Sequence, residues 1–162
     1  MSRAAAKYAS RIMEPHPDFA GKPPPRMATF GQFVLEVLAP QFVDEDYAVV
    51  IGSTSVLTGL FGQSWPEGLT LEENLADLIR HEREFDNDQA FAWIIRSEAG
   101  LYLGCAYLYP TPEKRGEGRV FTWIRDREDR LDLLDEFNRA FKAWLSDYLP
   151  EGFALSWTSN DR

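Results

Sequence analysis

At 162 residues, with 44% hydrophobic and 27% charged content, the chain fits one domain large enough to bury about two-thirds of its unfolded surface. A formal net charge of −9 argues against a phosphate-backbone or anionic-membrane partner and mildly favours cationic or neutral small ligands. One cysteine and two histidines exclude an internal disulfide and a cysteine-based zinc cluster, and they leave no basis for naming metal ligands.

No apolar run reaches about 18 residues, so no membrane span is expected. The N-terminus lacks the apolar core of a secretory signal, and a cytoplasmic protein is the default expectation. Residues 1–32 read as a Pro-rich arm. Ala4–Ser10 suits one or two helical turns, after which Pro15, Pro17 and Pro23–Pro25 favour extended chain. Whether the arm is loose, wraps on the body or reaches a neighbouring subunit is open. Residues 33–162 read as a single domain.

Phe33–Leu38 is the first expected strand, stopped by Pro40. Asp44 is placed to cap the segment that follows, whose apolar residues Tyr47, Val50, Ile51, Leu57, Leu60 and Phe61 are interrupted by Gly52, Gly59 and Gly62. That pattern predicts two short helices or one interrupted helix, then a loop over 62–68. Thr70-Leu-Glu-Glu73 is a capping box opening a helix that ends at Asp86–Asp88, with Leu71, Leu75, Leu78, Ile79 and Phe85 expected on its inner face. Three strands are expected next: one around Phe91–Ile95, apolar on both faces, one over Leu101–Tyr109 after a turn at Ser97–Gly100, and one over Arg119–Arg125. A long helix then runs from an Asp129 N-cap to Leu149, packing Leu131, Leu134, Phe137 or Asn138, Phe141, Trp144, Leu145 and Tyr148 inward. Gly152–Thr158 is the last strand.

Some stretches are more specific than this order of elements. Trp65-Pro-Glu-Gly-Leu-Thr-Leu-Glu-Glu-Asn-Leu-Ala-Asp-Leu78, His81-Glu-Arg-Glu-Phe85, Phe91-Ala92, Leu103-Gly-Cys-Ala-Tyr107 with Pro110, Trp123-Ile-Arg125 and Ala143-Trp-Leu145 resemble a subfamily of short bacterial proteins in the Gcn5-related N-acetyltransferase superfamily. The resemblance covers about residues 33–162. It implies an α+β fold with a mixed, mostly antiparallel central sheet of about five strands, helices on both faces, and a chain ending after the fifth strand.

The resemblance also implies a cofactor, acetyl-CoA, and a place for it. The strand read here as Arg119–Arg125 would splay from its neighbour and offer backbone groups to the pantetheine, which puts Trp123 and Ile124 at the cofactor. Arg125, Arg127 and Arg130 would pair with its pyrophosphate at the start of the following helix. The matching segment Ile124–Leu131 has none of the glycines that usually form this anion nest, and it carries Asp126, Glu128 and Asp129. Direct acetyl transfer needs a base and an acid, for which Glu82 and Tyr107 are the named candidates beside His81 and Tyr109. Each also has a bland reading: Glu82 as a solvated helix residue, His81 as a structural histidine, the tyrosines as core. Two functions follow, transfer of acetyl from acetyl-CoA to an amine, or a non-catalytic protein that kept the fold for ligand binding or protein contact. A homodimer built through the arm or the last strand is a third expectation, from the edge strand.

Overall fold

The computed structural model describes residues 14–162, so the Ala4–Ser10 turns lie outside it. Six strands form one sheet in the order of the chain: β1 (Ala28–Phe30), β2 (Phe33–Val37), β3 (Phe91–Ser97), β4 (Tyr102–Pro110), β5 (Glu117–Ile124) and β6 (Ala154–Ser159). The first five pair antiparallel and β6 pairs parallel with β5, which makes the sheet mixed and mostly antiparallel. Among the described residues four α-helices accompany it, α1 (Val43–Gly52), α2 (Thr54–Leu57), α3 (Leu71–Asp86) and α4 (Arg130–Ser146), with a 3-10 turn at Pro40–Phe42. A parallel pair needs a crossover, and α4 supplies it between β5 and β6. Among the described residues no helix is long and apolar enough to cross a membrane.

The sheet has six strands rather than the expected five. The extra one, β1, is three residues long and pairs Phe30 opposite Phe33, too short and too close to the prolines to show as an alternating pattern. Residues 14–30 lie against the body. Phe19 is fully buried against Phe91 and Phe153, the Trp93 indole donates to the Pro25 carbonyl at 3.0 Å, and Phe30 stacks on Trp144.

Two apolar clusters occupy the two faces. One packs Leu133, Leu134, Phe137, Phe141 and Leu145 of α4 on Phe33, Leu35, Trp93, Leu108 and Val120. The other packs Val49 and Val50 of α1, Leu57 and Leu78 on Ile94, Tyr102, Cys105, Tyr107 and Trp123. Arg96 ties α1 to the sheet, with Glu36 at 2.6 Å and Glu45 at 2.7 Å.

Several local expectations need correction. α1 starts at Val43 behind Phe42, so Asp44 sits within its first turn instead of capping it. α4 ends at Ser146, and Leu131 and Tyr148 are exposed while Leu133 and Arg130 are buried. The capping box forms as read, with Glu73 N–H donating to Thr70 Oγ1 and Thr70 N–H to Glu73 Oε1, both at 3.1 Å. Yet the buried stripe of α3 is Asn74, Leu78, His81 and Phe85, and Leu71, Leu75 and Ile79 face outward. The inward side of α3 is therefore partly polar. That is the first structural sign of a site.

Gly104 marks the closest approach of β4 and β5. A Cβ at that position would lie 1.8 Å from the Trp123 carbonyl oxygen, so only glycine lets β5 approach β4 this closely. A register shift between Ile95 and Arg96 places a bulge beside it.

Candidate functional site

The polar stripe of α3 faces α1 and the sheet across a cleft of about 310 Å³, the size of a small-molecule pocket. Asp46 on α1 lies at its base, 3% exposed. It accepts hydrogen bonds from the Asn74 amide at 2.7 Å and from the Tyr102 hydroxyl, which also contacts Cys105 Sγ at 3.0 Å. Burial raises the Asp46 pKa against the two hydrogen bonds that lower it. Asp77, one turn beyond Asn74, also lines the cleft and is raised by burial, with Arg80 opposing.

The aromatic side of the cleft is built by the sheet and the 59–68 loop. Tyr107 and Tyr109 stack with centroids 5.9 Å apart, Phe61 meets Tyr107 edge-on at 5.4 Å, and Trp65 meets Phe61 edge-on at 4.9 Å. Tyr47 donates to the Leu69 carbonyl at 2.9 Å, which fixes that loop to α1. His81 completes the wall 5.5 Å from the Tyr107 ring. Burial, with Arg80 adding to it, lowers the His81 pKa from 6.5 to about 3, so the ring is neutral at physiological pH. Carboxylates among aromatic faces, with a neutral imidazole beside them, suit a ligand that carries a positive charge and apolar surface.

The second place to examine is the seam between β5 and β6, where the resemblance puts acetyl-CoA. Parallel pairing runs from Glu117 and Ala154 to Thr122 and Ser159. Beyond it the Asn160 side chain closes the seam: its Oδ1 accepts from Ile124 N–H at 3.1 Å and its Nδ2 donates to the Ile124 carbonyl at 2.8 Å. Thr122, Asn138 and Ser159 form a knot of hydroxyl and amide contacts across β5, α4 and β6. Arg125 N–H donates to the Leu103 carbonyl at 2.7 Å. At this end of the seam the Ile124 N–H and carbonyl and the Arg125 N–H therefore all have partners in the chain.

The expected site residues separate accordingly. Tyr107 lines the cleft, buried, with its hydroxyl accepting from the Trp123 indole at 3.1 Å. Glu82 is half-buried on α3 and does not line the cleft. Trp123 and Ile124 are fully buried core residues. Arg125 donates to the Tyr102 carbonyl at 3.1 Å, and Arg127 pairs with Asp129. Arg130, buried at the start of α4, donates to the carbonyls of Asn160 and Arg162. Asp129 is the N-cap of α4 by position, but its side chain makes no capping bond, because Arg127 holds it. The three arginines are thus turned to chain carbonyls and a carboxylate, and Arg125 and Arg127 line an open cavity of about 600 Å³ with Glu128 and Asp129. With no glycine between Ile124 and Leu131 and with these carboxylates beside the arginines, the segment does not form the usual nest for the pyrophosphate of CoA. The cleft residues Asp46, Asn74, Asp77 and Arg80 were not singled out from sequence. Their one visible signal is the polar spacing at 74, 77 and 81, which breaks an otherwise apolar helix face. Among the described residues no cluster of three or more His, Cys, Asp and Glu is placed to hold a metal.

No family model matches the sequence, and no curated protein does. Solved structures do. The ribosomal-protein-S5-alanine acetyltransferase of Vibrio fischeri superposes with a TM-score of 0.61 at 10% identity over 75% of this chain and 67% of its own. The microcin C7 self-immunity acetyltransferase, in complex with acetyl-CoA and AMP, gives 0.59 at 10% identity over 79% and 68%. A Gcn5-related N-acetyltransferase of Brucella melitensis gives 0.59 at 20% identity over 82% and 58%. The chain spans about two-thirds of the length of the structures it matches. At such identities the likeness speaks of architecture, and the sheet, crossover and helices described above agree with it: the chain has the Gcn5-related N-acetyltransferase fold.

Proposed function

We propose that the chain is a binding protein on this acetyltransferase fold, which takes a small amine into the cleft between α1, α3 and the sheet and carries out no transfer from CoA at the β5–β6 seam. The observation that carries the reading is the contrast between the two places. The cleft is open and lined by Asp46, Asp77 and a wall of aromatic rings. The seam is held by Asn160 on both backbone groups of Ile124, with Arg130 fixing the segment behind it. A net charge of −9 adds a favourable long-range field for a cation.

Acetyl transfer to an amine is the second reading, favoured by the likeness to solved acetyltransferases, one of them in complex with acetyl-CoA. It shares the amine and requires the seam to open. Calorimetric titration separates the two. The binding reading expects 2-phenylethylamine to bind and Trp65→Ala to weaken it about tenfold, the scale of one lost cation–π or stacking contact. It expects no heat from acetyl-CoA up to millimolar concentration. Micromolar acetyl-CoA binding that is lost in Arg125→Ala and Arg127→Ala would replace it with the transfer reading.

A further inference from the structure

Among the described residues the cleft has one cationic group, Arg80, and it is held in an unusual way. Its Nη1 lies 3.6 Å from Asp77 Oδ1, its Nε 3.5 Å from Glu84 Oε1 and its Nη2 3.4 Å from His81 Nε2. Charge-assisted hydrogen bonds between guanidinium and carboxylate are ordinarily about 2.7–2.9 Å, and often bidentate. All three contacts are longer than that. Glu84 Oε1 is buried, and at 3.5 Å the neighbouring guanidinium makes at most a long, weak contact with it. Arg80 is 43% exposed at the side chain and lines the cleft. Its planar fork of donors is held near the opening by surrounding carboxylates, with N–H groups left for an incoming acceptor.

Asp77 and Arg80 present opposite charges one helical turn apart on the same wall of the cleft. Phe61, Trp65 and Tyr109 form the apolar side. A ligand with a single positive charge would use the carboxylates and leave the guanidinium unused. A ligand with an ammonium and a carboxylate on one carbon, and an apolar group beyond them, uses all three parts. Resting on the amine-binding reading above, we infer that the cleft selects an α-amino-acid-like zwitterion, its ammonium on Asp77 and Asp46, its carboxylate on Arg80, and its side chain against Trp65 and Phe61.

The test compares three probes of one shape: L-phenylalanine, 2-phenylethylamine and 3-phenylpropionate, titrated into the whole protein and its Arg80→Gln variant. Arg80 is exposed enough for that variant to fold. The wild type is expected to bind phenylalanine about tenfold more tightly than the amine, one charge-assisted hydrogen bond's worth, and the propionate least of all. In Arg80→Gln the preference for phenylalanine over the amine collapses to about one, while the amine binds no more weakly than before, because a neighbouring positive charge has been removed. Equal binding of amine and amino acid by the wild type, or equal weakening of both by Arg80→Gln, overturns the zwitterion inference and leaves the amine-binding cleft standing. Failure of all three probes to bind overturns the amine reading itself.

Discussion

Replacing His81 with Gln gives a pH-dependent change in stability whose size follows from the burial of the ring. His81 is 7% exposed, and burial together with Arg80 lowers its pKa from 6.5 to about 3. The folded state therefore holds a neutral imidazole at pH values where the unfolded chain has taken up a proton. The unfolded state binds more protons below the ordinary pKa, so His81 contributes full stability above about pH 6.5 and loses it as the pH falls toward about 3. At about 1.4 kcal/mol per unit, the loss between about pH 7.5 and about pH 5 is about 2 kcal/mol, and it reaches about 5 kcal/mol at the lower limit. Gln does not titrate and keeps a polar group of similar reach. The raised carboxyls nearby, Asp46, Asp77 and Glu84, act in the opposite sense, favouring the folded state as they take up protons. They are present in both proteins and largely cancel in the difference between wild type and variant, except for the coupling of Glu84, whose Oε1 lies 3.9 Å from His81 Nδ1. Urea denaturation with linear extrapolation across this pH range measures it. The advantage of the wild type over His81→Gln should shrink by about 2 kcal/mol between about pH 7.5 and about pH 5. A difference that stays constant with pH would refute the argument that the ring is buried and neutral.

Three further outcomes test the packing and the seam. Gly104→Ala forces a methyl group onto the Trp123 carbonyl, so β4 and β5 must part, and loss of soluble protein or of about 4 kcal/mol or more in denaturation is expected. Phe137→Ala, at the fully buried centre of the α4 face between Phe33 and Phe141, should cost about 3–5 kcal/mol by the same assay. Asn160→Ala leaves the Ile124 N–H and carbonyl without their partner, at a cost of about 2–4 kcal/mol, and should speed amide exchange at Ile124 well above that of Val120. Unchanged exchange at Ile124 would mean that Asn160 does not hold the seam.

How the sequence discloses this structure varies from place to place. The capping box at Thr70 and the three-strand meander are local: their signals lie within a few residues and do not depend on what packs against them. The inner face of α3 is harder, because the helix turns polar residues inward where it borders a cleft and leaves Leu71, Leu75 and Ile79 outside. A rule that puts apolar residues inward reads such a helix one face out. Asp46 stands in an acidic run, Asp44–Asp46, that looks like ordinary decoration of a helix N-terminus. What distinguishes it is the pair of donors that meet it, Asn74 and Tyr102, 28 and 56 residues away in the chain. Arg130 follows the same logic. By position it belongs at a helix N-terminus and suggests phosphate, but its guanidinium turns to the carbonyls of Asn160 and Arg162, and no local pattern predicts that contact. At Gly104 the approaching group is the backbone of β5, a partner that a lone glycine in a strand does not identify.

As proposed, ligand binding belongs to the cleft and not to the seam. Amide chemical-shift mapping of the whole protein, with acetyl-CoA and with 2-phenylethylamine in turn, tests it most directly. With binding in the cleft, the amine should shift Asn74, Asp77, His81 and Tyr107, and acetyl-CoA should leave Ile124 to Arg130 and Asn160 unmoved. Saturable shifts at Ile124, Arg125, Arg127 and Asn160 on adding acetyl-CoA would contradict it.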